Sequence, residues 1–125
     1  MRMLTDHQVN PANDLLEITV RDEPGAGGAN HVYEISGFDG NGIPKGSGYI
    51  VINFQNGPIA EHGVNGVTQE ALLAIVADRL RSFQSGPYAC AENADALASV
   101  EEAMASLLSR TKARTARGVE GTHKV

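Results

Sequence analysis

Three arginines near the C-terminus, Arg110, Arg114 and Arg117, stand at i, i+4 and i+7. On a helix this spacing sets three guanidinium groups along one side, and a guanidinium fork matches pairs of phosphate oxygens. Thr111 and Lys112 sit beside them. The competing reading is a solvated helix end, where cations favour the C-terminal dipole. A second constellation joins Phe83 to Asn93: an aromatic ring stacks on a purine, and a carboxamide hydrogen-bonds its edge. The plainer alternative makes Phe83 a core residue and Asn93 a helix-surface one. Steps of seven lead from Asn93 through Val100 and Leu107 to Arg114, so Asn93 and Arg114 share a helix face about 30 Å apart. One small ligand cannot touch both in one chain. That leaves two sites, or an antiparallel partner chain that brings the two ends together.

The remaining reactive side chains do not assemble into catalysis. His7, His31, His62 and His123 show no helical i, i+4 pairing and no metal-site spacing with Cys90. They read as exposed or loop histidines. Cys90 reads as a buried helix-start cysteine, although a helix N-terminus can lower a thiol pKa. The run from Gly40 to Ser47 invites a phosphate-loop reading, but Lys45 precedes Gly46 and a strand follows. A phosphate loop needs Gly-Lys-Ser/Thr opening a helix, so this run is expected to be a turn. Glu101 and Glu102 are adjacent, which on a helix points them roughly 100° apart. They cannot face each other as a carboxylate pair. The chain is not expected to be an enzyme, and no cofactor or metal is expected.

The elements that position these residues divide the chain into two styles. Leu15–Val20, His31–Ile35 and Tyr49–Phe54 are β-branched or alternating and read as strands. Gly-rich spacers and the Asn56-Gly57-Pro58 and Asn65-Gly66 turns separate and follow them. Thr68 can cap a helix whose stripe is Leu72, Val76, Leu80 and Phe83, and Ser85-Gly86-Pro87 ends it. A second helix, from near Cys90 to about Ala116, carries the stripe Leu97, Val100, Met104, Leu107 and Leu108, and Gly118 breaks it. The short connection makes the helices antiparallel neighbours. The expected fold class is α+β: a short antiparallel β-meander over about residues 10–66, a two-helix antiparallel hairpin over 68–117, and a tail over 118–125. All of it is expected to be one domain of 125 residues.

Composition bounds the partners. The apolar fraction is 42%, with three Tyr, three Phe and no Trp. Much of it is Ala, which buries little area, so a thin core completed by oligomer contacts is expected. The net charge of −5 argues against binding polymeric nucleic acid. Residues 1–109 carry five Lys/Arg against fourteen Asp/Glu, and residues 110–125 carry five against one. That asymmetry points the C-terminal segment at an anion. A single cysteine fits a reducing cytoplasm. Met1–Asn10 has no apolar run of the signal-peptide kind, and no stretch reaches the ~20 apolar residues of a membrane span.

Several longer runs resemble one phage family. They are Phe54-Gln55-Asn56-Gly57-Pro58-Ile59, Gly63-Val64-Asn65-Gly66-Val67-Thr68, Glu70-Ala71-Leu72-Leu73-Ala74-Ile75, Asp78-Arg79-Leu80, and the segment Arg114-Thr115-Ala116-Arg117-Gly118-Val119-Glu120-Gly121-Thr122-His123. Together they resemble the first-described Thoeris anti-defence family, whose helical hairpin is similar to that of the anti-CBASS sponges. The resemblance covers roughly residues 10–123. It implies a sponge in the cytoplasm of an infected bacterial host, one that binds cyclic ADP-ribose isomers closed through a glycosidic bond (gcADPR) and does not cleave them. Some members also bind cyclic di- or trinucleotides at a separate site. Dimers that build hexamers are implied as well. By this resemblance Phe83, Asn93 and Arg110 contact gcADPR, and Arg110 and Arg114 serve the cyclic oligonucleotide site. The chain departs from the family pattern at two places: Ala91 stands where an Arg is expected, and Ala60 where a Lys is expected. The alternative, from the hairpin alone, is a protein–protein module or phage regulator that docks through its helices.

Overall fold

A computed structural model describes residues 1–125. The chain forms two compact units, Met1–Gly57 with His62–Gly66, and Pro58–Glu61 with Val67–Val125.

The first unit is a four-stranded antiparallel meander, β1 (Arg2–Leu4), β2 (Glu17–Val20), β3 (Val32–Phe38) and β4 (Gly48–Asn53), in sheet order β1-β2-β3-β4. Ile18 pairs with Ile35, and Ile35 with Ile50, so apolar side chains line up across three strands. A bulge between Ser36 and Phe38 interrupts the β3–β4 ladder. Gly37 occupies it with φ +94°, where a Cβ would lie 2.2 Å from the Leu15 carbonyl oxygen. Only glycine fits there. The run from Gly40 to Ser47 is the β3–β4 connection, and Asp39 Oδ1 braces it by accepting the Gly46 N–H at 2.6 Å. One strand lies outside the expected boundaries: β1 begins at Arg2, well before residue 10. Three residues are too few to carry a periodic signal, and β1 exists because its backbone completes a ladder with β2. A short helix, α1 (Pro11–Asp14), joins β1 to β2.

The second unit is the hairpin. Helix α3 (Gln69–Gln84) is capped by Thr68, whose Oγ1 accepts the Ala71 N–H at 3.2 Å. Helix α4 (Ala91–Ala116) starts at Cys90 and ends where Gly118 turns at φ +72°. A single turn, α2 (Ile59–His62), precedes them. The expected stripes are only partly covered. Leu72, Leu80, Leu97, Val100, Met104 and Leu107 are half-buried, Ala77 is the buried residue of α3, and Val76, Phe83 and Leu108 are exposed.

The core is thin, as the Ala-rich composition predicts. Val20, Ala77 and Val119 are the buried apolar residues. The accessible surface is 8789 Å². A compact monomer of this mass exposes about 6,400 Å², and two separate compact domains of half the mass about 7,700 Å² in all. The excess therefore does not come merely from having two units. Apolar side chains such as Ile75 (59% exposed) and Leu108 (53% exposed) account for part of it.

Candidate ligand-binding site

The turn of the hairpin gathers groups that the chain leaves available. Phe83 lies in the last turn of α3 and keeps 38% of its surface exposed. Asn93 lies in the first turn of α4 and is half-buried. Its backbone N–H donates to Cys90 Sγ at 3.4 Å, and its carboxamide is hydrogen-bonded to nothing in the chain. Gln84 ties the two helices at this end, its Oε1 accepting the Cys90 N–H at 3.1 Å. The structure therefore brings Phe83 and Asn93 to one end of the hairpin. Arg79, four residues before Phe83, holds its guanidinium carbon 5.5 Å from the ring centroid. The sequence reading passed over Arg79, although an i, i+4 cation–aromatic pair on a helix is a legible signal.

The other end of α4 behaves differently. Arg110 is exposed. It lies seventeen positions after Asn93, about 25 Å along the helix axis. Arg114 is only 9% exposed, and the tail encloses it. Its Nε donates to Glu120 Oε2 at 3.1 Å, Nη1 to the Lys124 carbonyl at 2.7 Å, and Nη2 to the Val119 and Thr122 carbonyls at 3.0 Å each. Four of its five N–H donors are thus satisfied within the chain. Arg117 is the C-cap of α4 and donates to the Val125 carbonyl. The expected row of three free guanidiniums along one side is therefore not presented: Arg110 and Arg117 are exposed and Arg114 is buried, and of the three only Arg110 makes no bond to the tail. The reason lies in residues 118–125, whose carbonyls turn back toward the helix after Gly118. The Ala60 N–H donates to the Gly121 carbonyl at 3.0 Å, and His123 pairs with Glu61 at 3.1 Å, which fastens the same tail to α2.

Other expectations about reactive side chains are corrected. Cys90 is exposed rather than buried, and it serves as the N-cap of α4. His31 is buried, with its Nδ1 unbonded, and His7 is half-buried with Nε2 donating to the Leu16 carbonyl at 2.7 Å. Both are held by backbone packing that four isolated histidines in a sequence do not reveal. His31 sits beside Asp22, whose carboxylate accepts the backbone N–H groups of His31 at 2.9 Å and Val32 at 3.1 Å. Partial burial acts to raise the Asp22 pKa, but these bonds and the neighbouring His31 outweigh it and hold the carboxyl below its ordinary 3.8. A cleft of about 180 Å³ in the sheet unit is lined by Arg2, Val20, Asp22 and Asn30 among others. It is smaller than the ~300 Å³ at which ligand pockets begin, and none of Phe83, Asn93, Arg110 or Arg114 lines it. No three His, Cys, Asp or Glu side chains gather as a metal would require. No helix is long and apolar enough to cross a membrane.

Comparison with known proteins addresses the hairpin directly. The family model described as "Acb2/Tad1, hairpin domain" matches residues 47–112, just over half of the chain. That range includes Phe83, Asn93 and Arg110 and stops before Arg114. The chain is also 52% identical over 73 residues to the protein named "Thoeris anti-defense 1" of Bacillus phage SBSphiJ7. The matched stretch is 58% of this chain and 51% of that relative, so the chain spans about half the length of the curated relative it matches. The matched range runs from β4 through α3 and the turn into most of α4, and the chain belongs to the Acb2/Tad1 hairpin-domain family.

Proposed function

We propose that this chain is a phage anti-defence protein that binds gcADPR and sequesters it without cleaving it, in the cytoplasm of the infected host. The observation that carries the reading is that an exposed ring in the last turn of α3, Phe83, and an unbonded carboxamide in the first turn of α4, Asn93, stand at the same end of a hairpin of this family. A ring offers a stacking face to adenine, and a carboxamide offers both a donor and an acceptor to its edge. The 52% identity to a phage protein named for Thoeris anti-defence supports the same reading.

Arg110 belongs to the proposed gcADPR pocket as a contribution from a second copy. At about 25 Å from Asn93 along α4, it reaches the Phe83–Asn93 end only when a partner's helix lies antiparallel. The large exposed surface and the uncovered Ile75, Val76 and Leu108 give such a partner something to bury. We place the second, cyclic oligonucleotide site at Arg110, with Arg114 serving it by ordering the tail beside it. Nanomolar capture needs roughly −12 kcal/mol, which a small ligand reaches only when largely enclosed. A pocket shared between chains supplies that enclosure.

Calorimetry with gcADPR tests the reading. Phe83→Ala and Asn93→Ala are expected to abolish measurable binding while the circular dichroism spectrum stays native. Wild-type affinity in both variants removes these residues from the site. Recovery of intact gcADPR after heating the complex separates capture from hydrolysis. The exposed apolar face of the hairpin also suits docking on another protein. That second reading predicts a stable host partner and no heat of binding with any cyclic nucleotide.

A further inference from the structure

We infer that Arg79 is a phosphate-binding cation of the Phe83–Asn93 site and acts from the same chain as the ring it lies over. The inference rests on the proposed nucleotide site and adds to it a residue and a ligand group: the ligand must carry phosphate within reach of its base.

The geometry leads there in three steps. First, no other cation of the same chain shares the Phe83 face at the hairpin turn, and the Arg110 proposed to join the pocket comes from a second copy. The basic residues of α4 begin at Arg110, about 25 Å away along its axis. Position 91, beside the cap of α4, is Ala. Arg81 lies two residues from Phe83, a separation that points side chains to different faces of a helix. Second, Arg79 is already oriented. Its guanidinium carbon lies 5.5 Å from the Phe83 ring centroid, one helical turn along the same face. Third, a cation–π contact occupies none of the guanidinium's hydrogen-bond donors. Arg79 is exposed and makes no hydrogen bond or ion pair within the chain, so its five N–H donors remain.

Compare Arg114, whose donors are spent on the tail. A guanidinium held over a ring by a cation–π contact alone keeps its fork for two oxygen acceptors, and its placement there lowers the rotamer entropy lost on binding. The ring beside it still offers exposed surface to a base. A nucleotide presents this pair of features: a planar base and, a few ångströms away, phosphate oxygens. Lysine cannot substitute fully, because an ammonium lacks both the planar stack and the fork.

The experiment is calorimetric titration of the full-length protein with gcADPR at a series of NaCl concentrations. It uses wild type, Arg79→Ala, Arg79→Lys, Phe83→Ala and Asn93→Ala, each checked for an unchanged melting temperature. Arg79→Ala is expected to weaken binding about tenfold to a hundredfold, the range of a charge-assisted hydrogen-bonded contact. Its salt dependence should flatten as well, which a purely structural role would not produce. Arg79→Lys should keep the salt dependence and recover only part of the affinity. Wild-type affinity and salt slope in Arg79→Ala, beside lost binding in Phe83→Ala and Asn93→Ala, overturn this inference and leave the proposed site intact. Unchanged binding in Phe83→Ala and Asn93→Ala overturns the site, and with it the ring-and-fork arrangement. No binding by the wild type overturns both.

Discussion

The two ends of the hairpin carry similar chemistry and use it in opposite ways. At the turn, Arg79 touches only a ring face and the Asn93 carboxamide bonds to nothing in the chain. At the far end, Arg114 spends four N–H donors on Glu120, Val119, Thr122 and Lys124. A polar group is free to bind a ligand to the extent that its own chain has left it unpaired, because a group already satisfied must give up those bonds first. An arginine in a sequence does not announce which case applies. What decides it is whether the backbone carbonyls of another segment arrive within reach.

That contrast can be broken or sharpened by substitution. The largest expected effect is Arg114→Ala, which strands the carbonyls of Val119, Thr122 and Lys124 and releases the tail. Removing one member of such a buried charged network costs about 3 kcal/mol, read as a shift of the urea midpoint. Hydrogen exchange should show protection lost across 118–125. A loss of ligand affinity with native stability would place Arg114 with Arg79 instead. Next comes Phe83→Ala, expected to change stability by less than about 1 kcal/mol because the ring is exposed. In the proposed site the ring is the stacking face for the base, so the gcADPR titration should lose most of its heat. A large stability loss instead would return Phe83 to the core. Arg110→Ala should leave stability within about 0.5 kcal/mol while weakening ligand binding, since Arg110 is exposed and unbonded. A melting curve shifted as far as that of Arg114→Ala would erase the distinction between the two arginines.

The smallest effect tests the same rule in the sheet unit. Asp22 is a satisfied carboxylate, holding the His31 and Val32 N–H groups, and its folded pKa is lowered. Its contribution to stability is therefore complete above the unfolded value of 3.8 and is lost as pH falls through the lower folded value. Asp22→Asn should melt earlier than wild type at pH 7, with the difference shrinking below pH about 4. An equal difference at every pH would show that the carboxylate charge is not what holds the β3 entry.

Much of this fold is legible in the residues themselves. Thr68 caps α3, Ser85-Gly86-Pro87 stops it and Gly118 ends α4, each for a local reason of donor satisfaction or backbone freedom. The strands centred on Ile18, Ile35 and Ile50 follow from β-branched runs between glycines. The placement of the candidate site's residues was legible in part. Phe83 and Asn93 flank a short turn, so any hairpin must bring them to one end. Arg79 stood in plain view four residues before Phe83 and needed only the helical spacing to be noticed.

Local sequence determined the meander, the hairpin and the placing of Phe83 and Asn93 at its turn, because caps, turns and periodicity act over a few residues. Tertiary structure alone decided which arginines bond within the chain, the burial of His31 and the exposure of Cys90. Those depend on which distant backbone groups fold onto a side chain. The tail over Arg114 and the ladder that recruits β1 are contacts between segments, and no spacing within either segment encodes them.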